Sequence, residues 1–460
     1  MRRPNRRPNY TKTEDIENYE IPPDYLIYKD DADTIAVNGN TGKEDSRNTD
    51  SRTVIQYAIT ALTPDGGKIY IKSGTYLLST ALTVNTSNLE ITGQRGTVLQ
   101  STAAVNLMEI GATAGVNNFI ISTIEMDGDS TGATGLHIEN MIRSVIDKMY
   151  IHNFMSWGID LWYNHTITIQ NSNINANGVI ETVPYSGGIC IGHDGPPDYP
   201  CNVIRIRDDV IENNVTGIWI VTGTSITVDC CTIEGNHKHG IVVDRRGVAD
   251  TLPQNIFINA YFEANNISTS ANIYDIYLHG AVKQVEISGC YFTGSDVTYA
   301  ISGCSPYLKG FLLHGCTFQS TSDNYLRLAE IYYAEVHTNT FKDDTPKSGI
   351  TITQECNAWF HDNDRLPNIT TVDANTDITA IDRVMLVDAV GGARTVTLPF
   401  PTRHGEPYTI KKIDASGNAV TVNPNIAETI DGAATQVLAA QYNFITVKPD
   451  GTNWHIIARG

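Results

Sequence analysis

The sequence predicts an all-β chain wound as a right-handed parallel β-helix, with a helix capping its N-terminal end and a small antiparallel β-domain after the last coil. Three observations predict it. Gly, Asn, Thr, Ile and Val are plentiful, while the long Leu/Glu/Lys/Ala runs of helical proteins are missing. A short strand template recurs through residues 117–365 at irregular spacings of 22 to 37 residues. In most copies a second strand of Gly-Ile-x-Ile type follows an Asn/Gly turn.

The template is an apolar residue, a small or apolar residue three later, and a third apolar residue two after that. Its instances are Ile121-Ile124-Met126, Ile146-Met149-Ile151, Ile169-Ser172-Ile174, Ile206-Asp209-Ile211 and Val228-Cys231-Ile233. It continues as Phe257-Ala260-Phe262, Ile287-Cys290-Phe292, Leu313-Cys316-Phe318 and Val336-Asn339-Phe341. Strands this short cannot each bury a face alone, but stacked as coils they bury one column, and each backbone pairs with the coils on either side. The middle column then holds Cys231, Cys290 and Cys316 as small buried hydrophobes. A β-sandwich would alternate regularly and would not hold the three-plus-two offset.

Upstream, Val54, Ile55, Ala58, Ile59 and Leu62 have helical spacing, with Thr49, Asp50 or Ser51 placed to cap the helix. A helix there covers rungs that an open solenoid end would expose. The expected organisation is a flexible attachment segment (1–30), a cap with the first coils (31–116), the β-helix (117–365) and a C-terminal β-domain (366–460).

Composition narrows the function. The formal charge of −19 repels phosphate, so nucleic acid is not an expected partner. The basic cluster MRRPNRRPNY reads as a solvated tail that attaches the chain to other proteins. No run of 18 apolar residues spans a membrane, and no apolar segment marks a secretory signal. None of the eight Cys forms a CxxC pair or a Cys/His metal spacing, so no metal and no cofactor is expected.

Side chains alternate along a strand, so the residue after each third template position faces outward. That column reads Asp127, His152, Asn175, Glu212, Glu234, Glu263, Thr293, Gln319 and Lys342. With rungs roughly 4.8 Å apart, Glu212, Glu234 and Glu263 are expected as near neighbours. Such a ladder could place an acid and a base for glycoside hydrolysis; a solvated acidic stripe is the alternative. The second strands give a parallel outward column of His137, Asp160, Cys190, Trp219, Val242 and Tyr277, with Trp162 just beyond. Aromatic faces there suit sugar rings. Asp160 and Asp244 join the glutamates as candidate catalytic groups. Loops beside these coils bring His193, Asp194, His237, His239, Arg245 and Arg246, the two arginines being suited to a sugar carboxylate.

The run DSRTVIQYAITALTPDGGKIYIKSGTYLLSTALTV…LEITGQ resembles the opening of pectate-lyase-like β-helix proteins, found in phage tailspikes and polysaccharide-degrading enzymes. Gly66, Gly67, Ile69, Ile71, Gly74 and Tyr76 match the Gly-Gly-x-Val-x-Phe and Gly-x-Tyr pattern that follows the capping helix there. The resemblance implies fold more than activity, since the family spans lyases, hydrolases, epimerases and inert adhesins. Asp208-Asp209 resembles the carboxylate pair of polygalacturonase-like enzymes, but no Gly-His-Gly or Arg-Ile-Lys follows, and Asp209 falls in an inward column. The C-terminal YTIKKIDASGNAVTVNPN…ETIDGA…YNFITVKPDGTNWHII resembles a module that ends many phage and archaeal-virus tail proteins. It implies a trimerisation or receptor-binding tip; a stabilising cap is the alternative. Together these imply a homotrimeric viral tailspike or tail fibre that is assembled in the host cytoplasm and binds host-surface glycan, with cleavage left open. A free polysaccharide lyase or hydrolase and a non-enzymatic adhesin are the alternatives.

Overall fold

The computed structural model describes residues 23–460 apart from 180–185, 194–199, 245–251, 267–271, 295–296, 305–307, 320–324, 330, 342–348, 353–357, 364–368, 380 and 402–404. The chain divides into two compact units, residues 1–238 with 247–251, and residues 239–246 with 252–460.

The first unit is a parallel solenoid with a helix on its N-terminal coils. The helix Ser51–Ala61 buries Val54, Ile55, Ala58 and Ile59, and its N-cap is Asp50, whose carboxylate accepts the amides of Arg52 and Thr53. It packs on strands Asp33–Asn38, Glu44–Asn48, Gly74–Leu78 and Leu82–Val84. The folded region begins before the expected boundary at residue 31. Strand Tyr25–Asp30 buries Leu26 and Ile27 and pairs in parallel with Gly67–Ile71. Gly66 must be glycine: its φ is +86°, and a Cβ there would lie 2.3 Å from the Asn88 carbonyl.

Inside this unit, Ile91, Ile121, Ile146, Ile169, Ile206 and Val228 are successive register partners, all fully buried. A single left-handed residue two positions after the first template residue turns each corner: Thr123, Lys148, Asn171, Asp208 and Cys230 have φ between +52° and +58°. The second unit repeats the device with Gly289, Gly315, Thr338 and Asp362. Its column is Ile258, Ile287, Leu313, Val336 and Phe360. Phe257 was expected in that column, yet it is 47% exposed and Ile258 takes the place. No left-handed residue intervenes between Ile258 and Ala260, so that corner is one residue shorter and the template slips by one.

The rungs that follow stack as expected. Phe262, Phe292, Phe318 and Phe341 are fully buried, with ring centroids 4.8 to 5.1 Å apart. Cys231, Cys290 and Cys316 are buried free thiols, and burial pushes Cys231 up to about 12. A ladder of buried carboxamides, not anticipated from the sequence, lies at another corner of the first unit. Asn177 and Asn214 give their backbone amides to the next Asn in the series Asn177, Asn214, Asn236, while the three side-chain amides donate to the carbonyls of Ile151, Ile174 and Ile211.

The C-terminal region has its own core, built on Met385, Val387, Val396, Tyr408, Ile410, Val422, Ile445 and Trp454. It is mixed, not purely antiparallel. Ile369–Val372, Val384–Val387 and Tyr408–Lys412 run parallel, and Phe444–Pro449 and Trp454–Arg459 close the sheet antiparallel. A second sheet of four strands repeats that order.

Candidate functional site

Two sheets of the solenoid carry the expected columns. On the first sheet, Asp127, His152, Asn175, Glu212 and Glu234 are successive register partners, so Glu212 and Glu234 are vertical neighbours. The Glu212 carboxylate accepts amide hydrogens from Asn173 and Asn175, both at 2.8 Å. Glu263 belongs to the second unit, at the equivalent position opposite Thr293, and accepts the Tyr261 hydroxyl at 2.6 Å. All three glutamates are partly exposed, as expected.

On the second sheet the register is also as expected: His137, Asp160, Cys190 and Trp219 are successive partners, and Glu109 precedes them in the same column. Exposure is not. Asp160, Cys190 and Trp219 are each 8% exposed or less, and Val242 in the second unit is likewise buried. Strands Gly187–Ile191 and Thr216–Ile220 are buried at every residue, so these two strands are covered on both faces. Trp219 is no open sugar platform; its ring packs beside Trp157, centroids 6.0 Å apart.

The covered column gathers the chemistry. His137 bridges two carboxylates, with Nδ1 3.1 Å from Asp160 Oδ2 and Nε2 3.1 Å from Glu139 Oε1. Burial alone would lower its proton affinity; Asp160 and Glu139 outweigh that and hold the imidazole pKa above its ordinary value. The Trp162 indole N–H donates to Asp160 Oδ1 at 2.9 Å. The Trp162 ring meets His137 edge-on at 4.8 Å and lies against His193 at 4.1 Å. Both ring nitrogens of His137 are thereby engaged, so the imidazole serves to fix two carboxylates beside an indole face, an arrangement that can orient a bound hydroxyl.

The second unit has an aromatic cluster on the corresponding strands. His239, Tyr274, Tyr277 and His279 stack at 4.8 to 5.6 Å, and His279 Nδ1 lies 3.0 Å from Asp244 Oδ1. His237 belongs to the first unit, where burial lowers its pKa. Asp194, Arg245 and Arg246 lie outside the described residues. Among the described residues no group of three His, Cys, Asp or Glu side chains is arranged to hold a metal ion, and no helix is long and apolar enough to cross a membrane.

The family model described as "Right handed beta helix region" matches residues 69–233 and 221–368. The chain belongs to the right-handed β-helix family. Solved structures to which the chain is similar include Geobacillus virus E2 ORF18, 13% identical, with 88% of this chain and 72% of that chain covered and a TM-score of 0.45. The A-module of the mannuronan C-5 epimerase AlgE4 of Azotobacter vinelandii is 17% identical, covering 76% of this chain and 90% of that one, with a TM-score of 0.46. PfbA, a surface adhesin of Streptococcus pneumoniae, is 12% identical over 88% of this chain and 96% of its own, with a TM-score of 0.45. No curated protein matches the chain in sequence.

Proposed function

We propose that this β-helix protein is a viral tail component that binds host-surface polysaccharide at the His137 cluster. The observation that carries the reading is the contact set around Asp160: one carboxylate oxygen on an imidazole, the other on the indole N–H of Trp162, with Glu139 and His193 alongside. Buried, mutually fixed polar groups beside aromatic rings are what orient a sugar's hydroxyls and pack its C–H face. The resemblance of the C-terminal segment to viral tail modules supports the tail assignment. So do the free thiols among the described residues, which suit assembly in a reducing cell. Homotrimerisation and attachment through the basic N-terminal segment belong to the same reading.

Cleavage is the second reading, favoured by the two carboxylates, Asp160 and Glu139, that His137 holds on either side of one ring. The test incubates the purified chain with polysaccharide extracted from candidate host surfaces. Retention of polysaccharide by the wild type, and its loss in Trp162→Ala with an unchanged melting temperature, supports the binding site. Equal retention by both overturns it. New reducing ends or unsaturated products decide for turnover.

A further inference from the structure

The second unit carries a groove of about 510 Å³ on the outer face of its first sheet, distinct from the strands that hold the Tyr277 cluster. Its floor is one register column: Phe257, Glu286, Leu312, Glu335 and Trp359. These are the positions just before the buried column of Ile258 to Phe360, so they must face outward. Outward positions would ordinarily be polar, yet Phe257 is 47% exposed and Trp359 42%. Tyr333 lines the same groove and is 71% exposed with φ +66°, a left-handed conformation that is costly for a bulky residue. Three large, partly exposed rings thus line one groove.

The polar groups between the rings are fixed. Glu286 Oε1 lies 3.1 Å from His314 Nε2, and Glu335 Oε1 lies 3.0 Å from His361 Nε2. His314, His337 and His361 stack on successive rungs at 5.1 and 4.9 Å, and the His361 ring rests 4.0 Å from that of Trp359. Each glutamate is therefore oriented by an imidazole and keeps acceptor capacity toward the groove.

We propose that this groove is a second carbohydrate-binding site, for a run of uncharged sugar residues. Four steps of roughly 4.8 Å separate Phe257 from Trp359, the reach of a short oligosaccharide. Its volume and its mix of aromatic walls with a few placed polar groups are those of a ligand cleft. Among its described lining residues there is no Lys or Arg, while two carboxylates point in. Along that lining an acidic sugar would meet the two carboxylates, whereas a neutral one finds acceptors for its hydroxyls and rings for its C–H faces.

The test is calorimetric titration of the full chain with cellohexaose, laminarihexaose, maltohexaose and, as the acidic control, hexa-galacturonate. The expected result is saturable binding of at least one neutral hexamer and none of the acidic one. Trp359→Ala and Phe257→Ala should each weaken it by about tenfold or more, and Trp359→Tyr should retain most of it. Circular dichroism melts of each variant separate lost binding from lost folding. The proposal is overturned if no neutral hexamer binds, if the acidic one binds best, or if both alanine variants bind like wild type. It is also overturned if wild type self-associates in sedimentation and Trp359→Ala makes it monomeric, for then the face meets a second copy. The same titrations are run in a Trp162→Ala background, which takes the His137 cluster out of the readout, so the two sites succeed or fail separately.

Discussion

His137 Nδ1 lies 3.1 Å from Asp160 Oδ2, one rung further along the same column, and this contact helps hold a proton on a largely buried imidazole. Asp160→Asn removes the charge while keeping the shape. The His137 pKa, followed by NMR titration, should fall toward or below the ordinary imidazole value. His137 binds its proton more tightly folded than unfolded. Its stabilisation is therefore full below about pH 6.5 and is lost as pH rises through the folded-state value. Melting curves of Asp160→Asn should lack that component, and unchanged His137 titration would remove Asp160 from the account.

The acidic column on the first sheet gives a competing location for chemistry. Glu212 already accepts two Asn amides, and Glu234 is its vertical neighbour. With cleavage at His137, Glu234→Gln keeps full release of reducing ends from host polysaccharide and Asp160→Asn abolishes it. The opposite pattern would move the reaction to the first sheet.

Asp209 occupies the buried middle column, where its Oδ1 accepts the Ser172 amide at 2.6 Å and its Oδ2 has no partner. Burial pushes its pKa up to about 7. The unfolded carboxyl titrates near about 4, so the contribution of this group is complete below that pH and declines until pH passes 7. Asn339 shows what the site accepts, taking the Cys316 amide on its oxygen and donating to the Leu313 carbonyl. Asp209→Asn should flatten the decline and raise stability at pH 8 by at most about 4 kcal/mol, measured by urea titration at pH 4 and pH 8. Equal slopes for both proteins would refute it.

Phe318 stands between Phe292 and Phe341 in the ring stack and is fully buried. Phe318→Ala should cost about 3–5 kcal/mol in chemical denaturation, and Phe318→Leu distinctly less. Similar losses for both would mean that the ring itself, not buried volume, is what the column requires.

Asn214 binds the Asn177 amide above and takes its own place on Asn236 below. Asn214→Ala orphans the Asn177 amide and the Ile174 carbonyl, each at about 1–3 kcal/mol. Hydrogen exchange at Asn177 and Phe154 should accelerate in the variant, and unchanged protection there would show that the ladder is not continuous.

Much of the fold was legible because its corners are local. One left-handed residue fixes the offset between two rungs, so Ile121, Ile146 and Ile169 could be aligned without knowing what they touch. The same dependence explains the slip at Phe257, where the corner lacks that residue. Column membership on the second sheet was equally readable, as His137 and Asp160 show. Exposure was not. Alternation says which way Trp219 points, and nothing in its own strand says that the face is covered. The Trp359 groove carried a signal that went unused: Phe257, Leu312 and Trp359 are apolar at positions where alternation demands an outward side chain. The carboxamide ladder hid among turn residues, since Asn at a corner reads as a bend before it reads as a bond.

Thirty-seven residues separate Ile169 from Ile206, against 23 from Ile146 to Ile169, yet both steps bring the two isoleucines face to face. The longer connection does not shift the frame. A lineage bearing such a chain could gain or lose residues between rungs while inheriting its scaffold unaltered.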